Sequence, residues 1–546
     1  MSPSLRLALF VLAAIAILVP GQAGAAAPAT IPAVRDWQPH SGPDFHLRSG
    51  TRIVLGQGPR SLRTSARVLA HDLELLAGSR PAIVAGRRQA LRSGDIRLNQ
   101  NAGRAGRVGR QGYRLSIGRV VRIKGGGGDG AFYGTRTLLQ LLAGGRSIEP
   151  GLITDSPRWP ERGLMVDAGR KYFTPRWFRQ QLRELAYLKL DFIHLHLSDK
   201  EGFRIESKSH PEAVSDEYLS KQQIRGIVRM AARLRIEVIP EIDMPGHLTQ
   251  ALSKHPELQL ENAAGERQPD KLDITNPAAR RFALDLVKEY LPLFPGRYWH
   301  MGADEFLSVV PVPESPLPNP IYLQYPKLGA YATEHYGPGA DPHDTVDGFI
   351  EQVRKLVERH GKTLRIWHDG LDLMRPGAVD VDPSVAVEWW IDLTGPSPQE
   401  VIDAGHEILN AGWFPTYYVQ GPLATIRPNM QTAYESWNPT RFYGPLVCDS
   451  AIAEPGDSVD PGEPALLGTS LNIWNDDPEA QTEEEIARDI AMRIRVIAQA
   501  GWGSPQVEPG YDGFLELADR LGHAPGYDEV EAPPSTTDGR DCSGSS

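Results

Sequence analysis

The chain has 546 residues, 41 % hydrophobic and 23 % charged, which excludes a globally disordered protein and leaves room for more than one domain. Its only cysteines, Cys448 and Cys542, exclude both a disulfide-dense scaffold and a cysteine-rich metal framework. The net charge of −10 is uneven: residues 51–124 hold 16 Lys+Arg against Asp72, Glu74 and Asp95, so a basic module precedes an acidic remainder.

The first residues read as a secretory leader. Met1 to Arg6 carry one positive charge, Leu7 to Pro20 are almost wholly apolar, and Ala23-Gly24-Ala25 fits a small-residue cleavage site. The apolar run is short for a membrane span of about 20 residues. Residues 1–25 are therefore expected to be a signal peptide, and the rest secreted, extracellular or periplasmic, without stable membrane insertion. Residues 28–155 alternate helical stretches (Leu62 to Leu76, Tyr133 to Leu142) with β-rich runs at Tyr113 to Ile117 and Val120 to Ile123. This is the pattern of a small α+β accessory domain. Gly125 to Gly128 lack the Gly-Lys-Ser/Thr ending of a phosphate-binding loop and read as a flexible turn. The arginines suit a solvated surface, or the steering of an anionic polymer.

Residues 156–505 alternate buried strands with amphipathic helices. The strands are expected at Gly163–Val166, Phe192–Leu197, Ile236–Ile242, Arg297–Met301, Leu364–Trp367, Ser384–Trp389, Glu407–Leu409 and Leu467–Ile473. Helices are expected at Pro175–Leu190, Ser220–Leu234, Pro277–Leu293, Val346–His360 and Glu484–Ala500. Thr174-Pro175 and Asn276-Pro277 place a capping residue before a proline at the first helical position. Eight such units predict an α/β fold, a (β/α)8 TIM barrel. Residues 307–343, rich in proline and tyrosine, read as a long loop after the fourth strand, and a loop that long is usually functional. Residues 506–546 carry one helical stretch, Phe514 to Leu521, and then a polar tail expected to be disordered.

Polar and aromatic residues recur at the expected C-terminal strand ends, where barrel chemistry sits. They include Asp167 and Arg170; His194, His196 and Asp199; and Glu241, Asp243 and His247. Further along come His300, Asp304 and Glu305; Trp367, His368 and Asp369; Glu388 with Trp390; Tyr417 and Tyr418; and Trp474 with Asp476. Tryptophan beside carboxylates suits a sugar ring, whose C–H faces stack on indole while its hydroxyls bond to acids and Arg. Adjacent carboxylates at 304 and 305 stand too close to flank a glycosidic bond about 5 Å apart, so they must act from one side. That geometry fits catalysis in which the substrate's own acetamide is the nucleophile. A metal-dependent amidohydrolase or deacetylase is the rival, with His194 and His196 as ligands. It needs further ligands at later strands, and no convincing set assembles. No metal and no cofactor are expected.

The chain resembles glycoside hydrolase family 20, the β-N-acetylhexosaminidases. The resemblance rests on four ordered blocks: Arg162 to Asp167 with Arg170, Lys189 to Asp199, Ile239 to His247, and His300 to Glu305. Gly130 to Gly134 and Thr137 to Leu141 resemble the end of that family's accessory domain. The resemblance implies Glu305 as general acid and then base, and Asp304 as the acceptor that orients the acetamide and stabilises oxazolinium charge. It implies Tyr418, or Tyr417 one residue away, as donor to the acetamide oxygen. Arg170 would fork onto sugar hydroxyls, Asp199 and His247 would support Glu305, Trp367, Trp390 and Trp474 would wall the pocket, and Asp476 would bind a distal hydroxyl. The expected partner is a glycan with a terminal N-acetylhexosamine, not nucleic acid. Departures from the family pattern are Phe203 for the usual tryptophan, Ala303 for the second glycine, and Asp476 for the more usual glutamate. The shorter Asp476 keeps a disaccharide-releasing, lacto-N-biosidase-type activity open.

Overall fold

The computed structural model describes residues 28–528 apart from residues 57, 59–60, 87–89, 101–107, 308–323, 374–376, 422–428, 445–456 and 507–509. The expected leader, Cys448, Cys542 and the polar end of the tail lie outside the described residues.

The accessory domain is a mixed sheet of β1 (Asp36–Pro39), β2 (Arg52–Leu55), β3 (Ala82–Ala85), β4 (Ile96–Gln100), β5 (Tyr113–Ile117), β6 (Val121–Gly125) and β7 (Gly151–Asp155). Their order is β1-β7-β5-β6-β4-β2-β3. Period-two alternation sorts the side chains: Tyr113, Leu115, Val121 and Ile123 are buried, whereas Arg114, Arg122 and Lys124 are exposed. The buried set packs under helices α1 (Ser61–Ala77) and α2 (Gly128–Ala143). The glycine run 125–128 is a close crossing rather than a flexible turn. A Cβ on Gly126 or Gly127 would collide with the backbone of Gly109 or Arg110.

The second domain is a closed parallel barrel. Its strands are β8 (Glu161–Asp167), β9 (Phe192–His196), β10 (Glu237–Glu241), β11 (Tyr298–His300), β12 (Thr363–Trp367), β13 (Ala386–Trp389), β14 (Ile408–Asn410), β15 (Tyr417–Val419) and β16 (Leu466–Trp474). Closure is made by β16 on β8, in register from Glu161↔Gly468 to Val166↔Ile473. Every residue of β9 and β16 is buried, as expected of parallel strands covered on both faces. The seventh position is split. β14 pairs with the first half of β16 through Ile408↔Leu466, and β15 pairs with its second half through Tyr417↔Asn472. Asn410 Oδ1 accepts the Gly412 N–H at 2.9 Å, and the Thr416 hydroxyl donates to the Gly412 carbonyl at 2.9 Å, so a tight turn separates the halves.

The helices begin where their caps dictate. The Thr174 side chain accepts the Trp177 N–H at the start of α3 (Pro175–Tyr187), and Ser220 forms a capping box with Gln223 on α4 (Lys221–Arg233). Asn276 caps α5 (Pro277–Tyr290). Each such cap is worth about 1 kcal/mol. The expected long loop is partly helical: α6 (Pro326–Tyr336) lies within it, and α7 (Pro342–Arg359) starts four residues earlier than expected. Asp341 is the reason, because its capping box with Asp344 and the proline behind it fix the first turn. Helices α8 (Glu483–Trp502) and α9 (Tyr511–Leu521) follow the last barrel strand.

The accessory domain meets the N-terminal end of the barrel. Asp155, fully buried, accepts from the Tyr113 hydroxyl at 2.6 Å and the Trp502 indole at 3.0 Å, with Lys189 Nζ at 3.5 Å. Arg162 bonds Asp191 at 2.6 Å and Gln111 of the accessory domain at 2.8 Å. Two of the four ordered blocks thus carry residues that join the domains.

Candidate active site

The site forms at the C-terminal strand ends, around the segment that follows β11. Gly302, Ala303 and Glu305 take φ values of 74°, 77° and 50°, so the backbone leaves the pleat and both carboxylates turn the same way. Gly302 has no substitute here, since a Cβ would also collide with the Asp243 carboxylate. Ala303 adopts the left-handed region without that freedom, at a cost of about 1–2 kcal/mol. The Glu305 peptide is held at both ends. Its N–H donates to Asp369 Oδ2 at 2.9 Å, and its carbonyl accepts from Lys271 Nζ at 3.1 Å. Lys271 reaches it from the hairpin of residues 259–261 and 267–272, and Asp369 also accepts the Trp390 indole N–H at 2.8 Å.

His247 sits under both acids. Its Nε2 lies 3.2 Å from Glu305 Oε2 and 3.6 Å from Asp304 Oδ2, and its Nδ1 lies 3.0 Å from Asp199 Oδ1. Asp199 in turn meets His196 Nε2 at 2.9 Å and Arg170 Nη2 at 3.0 Å. His196, His194 and His300 converge on the buried Glu241, which also accepts the Trp367 indole N–H at 3.0 Å. Several His–carboxylate triads in this network have donor atoms within 4.8 Å of one another, but most of those atoms already face each other as His–carboxylate contacts. His194 and His196 point into this packed interior, not into an open site.

Electrostatics separates the two acids. Burial, reinforced by Asp369, Glu241 and Glu305, pushes the Asp304 carboxyl up to about 7. Burial alone would lower His247, but Asp199, Asp243 and Asp304 outweigh it and raise its pKa well above the usual imidazole value. The resulting cation pulls Glu305 down to about 2 against the opposing effect of burial. The Glu305 side chain is 36 % exposed, so water moderates this pull in the open pocket. Asp243 is buried, neither of its side-chain oxygens has a hydrogen-bond partner among the described residues, and burial pushes its carboxyl well above the usual carboxylate range.

The cavity brings together eight of the ten expected residues: Arg170, His247, Asp304, Glu305, Trp367, Trp390, Trp474 and Asp476. Asp199 stands behind it, against His247 and Arg170. Of the two tyrosines, the structure places Tyr417, the alternative to Tyr418, at the cavity wall. In β15 the odd positions face the cavity, whereas the Tyr418 hydroxyl faces outward, within hydrogen-bond distance of Gln481 Oε1 at 2.7 Å and Asp489 Oδ2 on α8 at 2.9 Å. Burial raises the Tyr417 pKa well above that of a free phenol, so it stays a donor. Trp413 and Val419 also line the cavity and were not expected. The Trp413 ring stacks on Tyr417 at 4.9 Å, and Tyr417 stands parallel to Trp390 within 6° at 6.4 Å. Trp413 lies in the turn between β14 and β15, which no periodicity announces. Arg170 binds Asp167 at 2.8 Å, lies over the Trp474 ring at 5.3 Å, and approaches Asp476 at 4.0 Å.

A closed barrel whose C-terminal face sets an adjacent carboxylate pair beneath an aromatic wall is a site built for a sugar ring. The chain belongs to glycosyl hydrolase family 20: the family's catalytic domain matches residues 159–505 and its domain 2 matches residues 27–156. The lacto-N-biosidase of Bifidobacterium bifidum is 30 % identical over 510 residues, which are 93 % of this chain and 42 % of that protein. A β-hexosaminidase of Porphyromonas gingivalis is 27 % identical, over 75 % of this chain and 53 % of its own length. The chain thus spans about half the length of these two relatives. A mutant Streptomyces plicatus β-hexosaminidase, solved with its product GlcNAc, is similar at a TM-score of 0.69 and 26 % identity, over 93 % of this chain and 97 % of that one.

Proposed function

We propose that the protein is an exported exo-glycosidase that removes terminal β-linked N-acetylhexosamine with retention, the substrate's acetamide acting as nucleophile. The observation that carries this is the shared contact of Asp304 and Glu305 with one imidazole nitrogen, at 3.6 Å and 3.2 Å. Both acids work from one side of the sugar. The cavity's remaining carboxylate, Asp476, is turned to Arg170. Asp304 accepts the acetamido N–H, the Tyr417 hydroxyl donates to the acetamide oxygen, and the ring lies against Trp367, Trp390 and Trp474. Filling the pocket strips water from Glu305 and raises its pKa, which lets it receive the proton held by His247 and pass it to the leaving oxygen. The same carboxylate then activates the incoming water. Export rests on the leader-like residues 1–25.

Release of a disaccharide is the second reading, supported by the shorter Asp476 and by the 30 % identity with a lacto-N-biosidase. A panel of GlcNAc, GalNAc and lacto-N-biose glycosides separates the two. The mechanism itself is tested by proton NMR of the first product, recorded before mutarotation. Retention is expected, and an inverted anomer defeats acetamide participation. Asp304→Asn is expected to slow activated and natural substrates alike. Glu305→Gln spares leaving groups that need no proton, while natural glycans lose about 10²–10⁴-fold.

A further inference from the structure

The sheet face of the accessory domain turned away from α1 and α2 carries a cluster of cations set by strand register. Arg97 stands opposite Arg122 across the β4–β6 pair, and Arg114 stands opposite Lys124 across the β5–β6 pair. Arg122 and Lys124 are two residues apart, hence on one face. Arg114, Arg122 and Lys124 are exposed. Like charges placed directly opposite one another in a sheet are destabilising, so nothing in the fold asks for this arrangement.

Four acids of the domain are engaged elsewhere, and Asp36, in register with Thr154 beside Arg114, bonds Gln38. Asp95 is paired with Arg52, Asp72 with Arg136, Glu74 with Arg80, and Asp129 with Arg110. Among the described residues, Arg114, Arg122 and Lys124 form no ion pair. Their remaining cross-strand neighbours are the neutral Ser116, Asn99 and Thr154.

We propose that this face docks an anionic polysaccharide, one bearing sulfate or uronate groups. An array of cations set by strand register, with neutral hydrogen-bonding neighbours, matches a polymer that repeats its charge. The choice of a polysaccharide over other polyanions rests on the proposed glycosidase function of the barrel, because one polymer then meets both surfaces. The domain joins the barrel at the end opposite the pocket, so docking tethers the protein without occupying the site.

The test uses the full chain on immobilised dextran sulfate, which is not a substrate, with neutral dextran as control. The protein is expected to bind the sulfated matrix alone and to weaken on the order of tenfold or more between about 50 and about 200 mM salt. Saturating the pocket with a thiazoline inhibitor is expected to leave retention unchanged. The triple variant Arg114→Gln, Arg122→Gln, Lys124→Gln is expected to bind on the order of tenfold more weakly, while hydrolysing a soluble chromogenic glycoside at the wild-type rate and melting no lower. Arg122→Glu, which sets a carboxylate opposite Arg97 and so guards the fold, is expected to lose retention as well. Wild-type retention by both variants, or displacement by the inhibitor, overturns the proposal. Tighter binding to phosphatidylglycerol vesicles or duplex DNA than to dextran sulfate overturns the choice of partner. Failure here leaves the hydrolysis assays untouched, so it is distinct from failure of the glycosidase reading.

Discussion

The surroundings of Asp304 work against its charge. Its carboxyl titrates near 7 in the fold because burial and neighbouring acids disfavour the charge, against about 4 in an unfolded chain. The folded state therefore binds this proton more tightly, and the associated stability is present below about pH 4 and lost as pH rises through 7. Asp304→Asn removes that dependence. Thermal melts are expected to show the variant gaining on the wild type steadily from about pH 4 to 7, and a pH-independent difference would contradict the assignment. Under the proposed mechanism orientation of the acetamide needs the carboxylate, so wild-type kcat/KM is expected to fall as pH drops below 7. The two carboxylates were legible in the sequence as neighbours that must share a side. Their means of doing so was not, because left-handed conformations at Ala303 and Glu305 leave no compositional trace.

Elements with strong local signals were legible. Thr174-Pro175 and Asn276-Pro277 fix the starts of α3 and α5 by chemistry within a few residues. The split seventh strand was not, since β14 and β15 have three residues each and are defined by what they pair with on β16. With β15 unseen, its phase was unseen, and Tyr417 and Tyr418 could not be told apart. The alternation gives a paired expectation. Tyr417→Phe is expected to melt like the wild type and lose on the order of 10²–10³ in kcat, as when a donor to developing charge is removed. Tyr418→Phe is expected to keep kcat and lose about 1–3 kcal/mol of stability, because Gln481 and Asp489 lose a shared partner. The reverse pattern would return the role to Tyr418.

At the scale of the molecule, domain order and barrel were legible from repeated strand–helix periodicity, whereas the joint between the domains was not. Lys189 and Arg162 sit within motif-like blocks and invite a catalytic reading, yet their partners Asp155 and Gln111 are distant in sequence and the contacts lie at the end opposite the pocket. Asp155→Ala leaves the Lys189 cation buried without its carboxylate. Calorimetry is expected to show a loss of about 3–5 kcal/mol, with kcat/KM at 25 °C unchanged; a catalytic defect without a stability defect would refute this role. The split seventh strand bears on how such a barrel diversifies. Closure depends on β16 against β8 and on each half-strand against its own part of β16, not on the residues between the halves. Residues 411–416 are buried and tied by the Asn410–Gly412–Thr416 bonds, yet they carry none of the pairing that closes the barrel, and Trp413 within them and Tyr417 just beyond travel with every change. New sugar preferences can arise there by insertion or deletion, leaving the acids and their imidazole where they stand.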